Sequence, residues 1–361
     1  MKINIITFHF VNNFGAALQA YALSQATSKL NNQQTIMVDY RHWFIRFTDT
    51  VRILPISKDP KIIKHGLKTI PQRLGRLKKF DSFHKERFKM SARYNTRKSL
   101  QQYPQEDSMF ICGSDQIWNP VVTLGVKGVY YLSFVRSSKR KISYAASFGI
   151  SDIAPKYRAK MEKYLKGFKA IGVREAEGVE LVKDISGRTA TQVIDPTFLL
   201  SKDEWSEIAI SPQIDEPYIL VYVMQSNESV YEYARQIKAI LGIQLIAISR
   251  YGDKPAGVDK VVIDIGPYEF LGLFENATYI CTNSFHGLAF ALIFEKNFFI
   301  IPSNRFNSRI DSLLQVMGVT LEKEVTHDNI LNPKINHSEI KQHILSARQH
   351  SLEFLQKNLS L

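Results

Sequence analysis

Short apolar runs recur along the chain, separated by polar turns and by segments whose apolar positions repeat at helical spacing. The first run, residues 2–10, meets the polar turn "VNNFG" and then "AALQAYALSQATSKL", where Ala17, Leu18, Tyr21, Ala22 and Leu30 share one helical face. Alanine-rich composition favours a helix there, and "QTIMVDY" supplies the next strand. Strand, short glycine-bearing turn, helix and strand make a βαβ unit, which implies parallel pairing through a right-handed crossover. After residue 100 the rhythm resumes, with "SMFIC", "KISYAASFG", "AIGVR" and "TQVIDPTFLL" as strands and helices over 155–168 and "EAEGVELVKDI". Asp195-Pro196 reads as a terminator of the last of these strands, and "SKDEWSEIA" as a capped short helix.

The segment "SPQIDEP", residues 211–217, has the composition of a linker. A second series follows: strands "YILVYVM", "QLIAIS", "KVVID", "TYICT" and "NFFIIP", with helices "ESVYEYARQIKAILG", "GPYEFLGLFENA", "GLAFALIFEK" and "SRIDSLLQVMG" among them. This order predicts an α/β protein of two Rossmann-like, doubly wound domains facing across a cleft, over 1–210 and 211–337. The amphipathic helix of 338–361 is expected to pack back on the first domain. Ligands of such a pair lie at the carboxyl ends of the strands.

Length agrees, since 361 residues is long for one hydrophobic core. Hydrophobic content of 45% and charged content of 22% are those of a folded chain, which argues against disorder. The N-terminal stretch lacks the pattern of a signal peptide, and no apolar run approaches the ~18 residues of a spanning helix. A cytoplasmic protein is the expectation. Only Cys112 and Cys281 are present, each after an isoleucine in an apolar run; two buried strand-end thiols fit a reducing compartment and do not form a zinc site. The net charge of +13 is local: residues 41–100 hold 17 Lys and Arg against four acids, so one basic insertion owns the whole excess.

Four turns at predicted strand ends carry unusual residues: "NNFGAALQAYAL", "CGSDQIWNP", "VREAEGVELV" and "NSFHGLAFAL". In this order, with "SYAASFG" and "VIDPTFLL" between them, they closely resemble the polysaccharide pyruvyl transferase family. The likeness runs from about residue 3 to about residue 317, omitting the basic insertion, and the pairing of GSDQxWN with NSFHG is its specific part. The resemblance implies transfer of a pyruvyl group from phosphoenolpyruvate to sugar hydroxyls, usually leaving a ketal, on two domains arranged as in GT-B glycosyltransferases. Phosphoenolpyruvate is then a donor substrate, and no cofactor or metal is expected. The chemistry needs cations or helix N-termini for two anionic groups, an acid for the methylene carbon and a base for the hydroxyls.

His286 suits the donor end. Ser284 is placed to cap the following helix, Gly287 allows close approach, Asn283 precedes them, and a protonated His286 adds a charged donor or an acid. A histidine satisfied by a backbone carbonyl is the plainer alternative. Arg174 leaves a strand end with a planar fork suited to carboxylate or phosphate, or else pairs with Glu175 or Glu177 at the surface. Arg309 is a weaker third donor-binding residue. Asp115, beside Ser114 and Gln116, is a base for a sugar hydroxyl or a loop brace, and Trp118 a platform for a sugar face. Asn13 and Gly15 either shape the acceptor side or serve the turn alone.

No GxGxxG or GxxxxGK[ST] is present, which argues against NAD and ATP. The basic insertion, with "IPQRLGRLKKFDSFHKERF" as an amphipathic helix, interleaves cations with Trp43, Phe44, Ile45, Phe47, Ile53 and Leu54. It suits an anionic membrane surface presenting a lipid-linked glycan acceptor, and equally a solvated helical hairpin. Nucleic acid is not expected, for no recognition motif occurs. Two other functions share the architecture: a GT-B glycosyltransferase, sialyltransferase-like, using a nucleotide sugar, and a glycan-binding protein without chemistry.

Overall fold

A computed structural model describes residues 1–41, 66–224, 227–301, 308–322 and 324–359. The first sheet contains β1 (Lys2–Ile6), β2 (Ile36–Met37), β3 (Lys89–Met90), β4 (Ser108–Cys112), β5 (Lys141–Ala146), β6 (Ala170–Val173) and β7 (Thr191–Gln192). All pair in parallel, in the order β3-β2-β1-β4-β5-β6-β7. The second, also parallel, contains β8 (Tyr218–Tyr222), β9 (Gln244–Ile248), β10 (Lys260–Val262), β11 (Tyr279–Thr282) and β12 (Asn297–Ile300), in the order β10-β9-β8-β11-β12. The helices that flank the first sheet and its connections are α1 (Phe14–Asn31), α2 (Ile70–Arg87), α3 (Arg97–Leu100), α4 (Pro155–Leu165), α5 (Ala176–Ser186) and α6 (Lys202–Ser206). Those that follow are α7 (Glu228–Leu241), α8 (Pro267–Asn276), α9 (Phe285–Ile293), α10 (Ser308–Met317), α11 (His327–Leu331) and α12 (His337–Leu359).

Two strands end earlier than their apolar runs. β1 stops at Ile6, opposite the last residue of β4, Cys112, and the His9 N–H then folds back on the Thr7 carbonyl at 3.0 Å. β7 covers only Thr191–Gln192: the Val193 N–H still meets the Val173 carbonyl at 2.9 Å, but the Ile194 N–H donates to Ser351 Oγ instead, and Asp195 accepts from Thr197 N at 3.0 Å, starting a 3₁₀ turn over Pro196–Leu199.

Helix α1 is buried on nearly every side rather than on one stripe. It lies between the sheets, where fully buried Phe14 stacks on Phe270 of α8 at 4.4 Å. Complete burial of such a ring contributes roughly 1.5–3 kcal/mol. One apolar cluster runs from Ile5 and Tyr144 of the first sheet to Ile280 and Phe290 of the second half. Helix α12 lies against the first sheet: Phe354 sits beside Tyr144, Ser351 Oγ accepts from Ile194 N at 2.9 Å, and Arg348 donates to the Phe198 and Leu200 carbonyls.

The solvated hairpin expected as one reading of the basic insertion does not hold for its described residues, 66–100. Its described part is integral to the fold: β3 extends the first sheet, and α2 buries Phe80 and Phe83 in the core. Arg76 stacks over Phe14 at 4.5 Å, and Lys79 pairs with Glu269 at 2.9 Å across to α8. Trp43, Phe44, Ile45, Phe47, Ile53 and Leu54 lie outside the described residues. Among the described residues no helix is long and apolar enough to cross a membrane.

Candidate active site

Strand order reverses direction twice in this molecule, between β1 and β4 and between β8 and β11. At such switch points the loops leave on opposite sides and open a crevice. The loop after β1 carries Asn13, that after β4 carries Ser114 to Trp118, that after β8 carries Met224, and that after β11 carries Asn283 and Ser284. They converge. Asn13 caps α1 by accepting from Ala16 N at 3.0 Å and points its amide at Met224 Sδ, 3.9 Å away. Asn283 Oδ1 accepts from Met224 N at 3.0 Å.

His286 occupies the first turn of α9, whose N-cap is Ser284. Its ring packs against Gly15 of α1 so tightly that a Cβ on Gly15 would lie 2.0 Å from Nδ1. Nε2 is buried without a hydrogen-bond partner among the described residues, 3.9 Å from Asp195 Oδ2. Burial pushes the imidazole below its usual range, and the nearby Asp195 and Asp115 carboxylates offset this only in part. Desolvation thus works against the protonated His286 expected from the sequence.

Arg174 follows β6 of the first sheet and reaches the second half, lying over the Phe285 ring at 4.3 Å. The ion pair with Glu175 forms, but buried and not at the surface. Nε donates to Glu175 Oε1 at 2.9 Å and Nη1 to Asp195 Oδ2 at 2.8 Å, while Nη2 is buried without a partner among the described residues. Burial alone would lower the guanidinium, but Glu175, Asp195 and Asp115 outweigh it and hold it charged.

Asp195 is the residue that motif reading undervalued. Its carboxylate receives Arg174, Ser114 Oγ at 3.1 Å, and both Thr197 N and Thr197 Oγ1, with His286 beyond. Burial would raise it, yet the Arg174 charge, the Thr197 N–H and the Arg174 hydrogen bond hold it below the usual carboxylate range. The sequence signal was an aspartate at a parallel-strand carboxyl end directly before proline. It is a hub as well as a terminator.

Asp115 has a left-handed backbone, φ 72°, and its Oδ1 accepts from Gln116 N at 2.8 Å. Few non-glycine residues are held this way, and such strain gathers at functional sites. Gln116 accepts from Asn119 Nδ2 at 2.8 Å, which braces the loop. Trp118 is corrected outright: it is 1% exposed, stacked on Tyr131 at 5.0 Å, with Nε1 bonded to the Tyr130 carbonyl, so no sugar can reach its face. At Gly287 a Cβ would meet Thr282 Oγ1 at 2.3 Å, so the missing side chain also lets α9 pack against β11.

Beside this cluster lies a cavity of about 490 Å³ lined by Arg174, Asp195, Phe285 and Arg309, with α10 and α12 along its length. Arg309 Nε is buried and unpartnered among the described residues, and burial together with the Arg174 charge pushes its guanidinium below the usual range. Two adjacent cations with unspent donors suit an anion with several acceptor oxygens. Among the described residues no group of three His, Cys, Asp or Glu is arranged to hold a metal ion.

Residues 13–305 match the family described as polysaccharide pyruvyl transferase. No curated protein matches the sequence. Among solved structures the chain is similar to UGT89C1 of Arabidopsis thaliana complexed with quercetin, at 10% identity, TM-score 0.51, over 100% of this chain and 99% of that one. It is also similar to MnaA of S. aureus with UDP, at 12% identity, TM-score 0.51, over 99% and 90%. Trehalose-6-phosphate synthase OtsA matches at 9% identity, TM-score 0.51, over 99% of each chain. At these identities the likeness is one of fold, and the fold is GT-B.

Proposed function

From membership of the polysaccharide pyruvyl transferase family, to which this chain belongs, we propose that it transfers a pyruvyl group from phosphoenolpyruvate to hydroxyls of a surface-glycan sugar or its lipid-linked precursor. One observation carries this reading: buried Arg174 and Arg309 keep unpartnered nitrogens beside His286, where both switch points meet. The two cations and the α9 N-terminus suit the donor's carboxylate and phosphate.

In the reaction, protonation of the enol methylene makes the adjacent carbon electrophilic. A first hydroxyl attacks that carbon and loses its proton. A second hydroxyl displaces phosphate there, its proton leaving with the phosphate, to give a ketal and inorganic phosphate. His286 is assigned the proton at the methylene. The downward push of burial on its imidazole is no obstacle, since an arriving anion favours the imidazolium by direct charge attraction. Asp115, across the crevice, is assigned the hydroxyl proton. General acid and base groups of this kind each contribute about 10²–10⁴-fold. Asp195 holds Arg174 in place and supports the imidazolium.

Calorimetric titration with phosphoenolpyruvate, with UDP, CMP and inorganic phosphate as competitors, tests the assignment. Saturable binding that weakens about tenfold or more in His286→Ala is expected. Binding of UDP or CMP without phosphoenolpyruvate binding would replace the reading with nucleotide-sugar glycosyl transfer.

A further inference from the structure

The cavity beside Arg174 is larger than the proposed donor requires. At about 490 Å³ it falls in the range, roughly 300–1,000 Å³, that encloses drug-sized ligands rather than a small acid phosphate. Its chemistry changes along its length. The inner end holds the unpartnered Nη2 of Arg174, a side chain only 3% exposed, and the Arg309 guanidinium. The outer wall carries His343, Ser346 and His350 of α12, with Ser312 of α10 hydrogen-bonded to Gln192 at 3.0 Å.

The more exposed of these groups, His343, Ser346 and His350, are two imidazoles and a hydroxyl able to donate and accept, while buried Ser312 accepts from Gln192 and Ala176 N and keeps its hydroxyl proton to donate; none is a carboxylate or ammonium. That inventory matches neutral sugar hydroxyls, and the apolar side chains between them suit the C–H faces of a sugar ring. Position along the chain points the same way. Arg174, Asp195 and His286 lie inside the family-matched segment 13–305, whereas Ser312, His343, Ser346 and His350 lie beyond it. Shared residues serve the shared chemistry; the wall outside the match is where this chain's own acceptor is distinguished.

We propose that the outer half of this cavity is the acceptor-sugar subsite, and that Ser312, His343, Ser346 and His350 select the sugar. The proposal rests on the donor assignment above. It moves the acceptor away from Trp118, which is buried, and onto the C-terminal helix.

The test is NMR of protein labelled with ¹⁵N-histidine. Glucose, galactose, mannose and their 2-acetamido derivatives are titrated with and without phosphoenolpyruvate. At least one sugar is expected to shift the His343 or His350 ring signals. Ser346→Trp, placed at an exposed helix position and so compatible with folding, is expected to abolish that shift while phosphoenolpyruvate affinity stays within about twofold. His350→Ala, which adds no bulk, is expected to weaken the sugar-induced shift at His343. If no sugar moves either ring, or if Ser346→Trp instead weakens phosphoenolpyruvate about tenfold, the subsite is overturned. A sugar-induced shift without any phosphoenolpyruvate binding would refute the donor assignment and leave the subsite standing.

Discussion

Gly15→Ala sets two effects of opposite sign against each other at one position. Gly15 lies in the first turn of α1 with no positive φ, so alanine is conformationally acceptable and gains up to about 1 kcal/mol in helix propensity. Its methyl, however, would sit 2.0 Å from His286 Nδ1, 2.3 Å from Cγ and 2.5 Å from Cε1. Ordinary contact requires the ring to retreat by roughly 1.5 Å. Overpacking of this kind costs about 1–3 kcal/mol, so with the full propensity gain the net change is a loss of about 0–2 kcal/mol and a Tm no higher than wild type. The functional effect is larger, because displacing a catalytic group by about 1 Å costs about 10²-fold. Thermal unfolding and phosphoenolpyruvate calorimetry on the same variant separate the two. A Gly15→Ala protein that is more stable than wild type and binds phosphoenolpyruvate equally well would refute both the close packing and the use of His286.

Asp195→Asn keeps the shape but removes the charge that holds Arg174, and leaving that guanidinium under-compensated in a buried site is expected to cost about 3–5 kcal/mol; a loss below about 1 kcal/mol in urea unfolding would contradict the hub role. Acid lability should follow from Asp39, whose burial favours the neutral form but which His9 and Arg41 hold well below the carboxylate range. A depressed folded value means that the stabilisation is complete above the unfolded value, about 3.9, and is lost as pH falls through the folded one. His286 adds to the slope, since the unfolded chain takes up a proton below about pH 6.5 that the buried ring resists. Unfolding midpoints measured from pH 7 to pH 2 should fall, with the Asp39→Asn curve falling less only below about pH 4; curves that stay parallel there would exclude Asp39 as a source. Trp118→Phe should lower stability by about 1–3 kcal/mol through the lost ring volume and the lost Nε1 bond to the Tyr130 carbonyl, which keeps only the weak Cys112 Sγ donor, without changing any sugar-induced histidine shift, and the reverse pattern would restore Trp118 to the acceptor site.

The sequence by itself determined the parallel β/α rhythm. Its apolar runs placed β4, β6 and β8 within a residue or two, because strands buried on both faces need continuous apolar stretches. It also identified the turns that meet at the two switch points, since Gly, Ser and Asn at strand-to-helix junctions are dictated by local backbone and capping. Tertiary structure alone decided the rest. Trp118 could not be placed from its neighbours, because its partner Tyr131 comes from a later turn and the pair is buried by packing, not by periodicity. Asp195 became a hub only when β7 brought it beside Arg174 of β6 and Ser114 of the β4 loop, three separate stretches of chain. Gly15 and Gly287 look alike as small residues in turns, yet one makes room for a histidine from the facing half and the other for its own preceding strand. The far wall of the cavity comes from α12, brought there by Ser351 and Arg348 bonding to the segment after β7. Local patterning sets which element forms; which side chains share a site depends on contacts between residues far apart in sequence, and no local pattern records those.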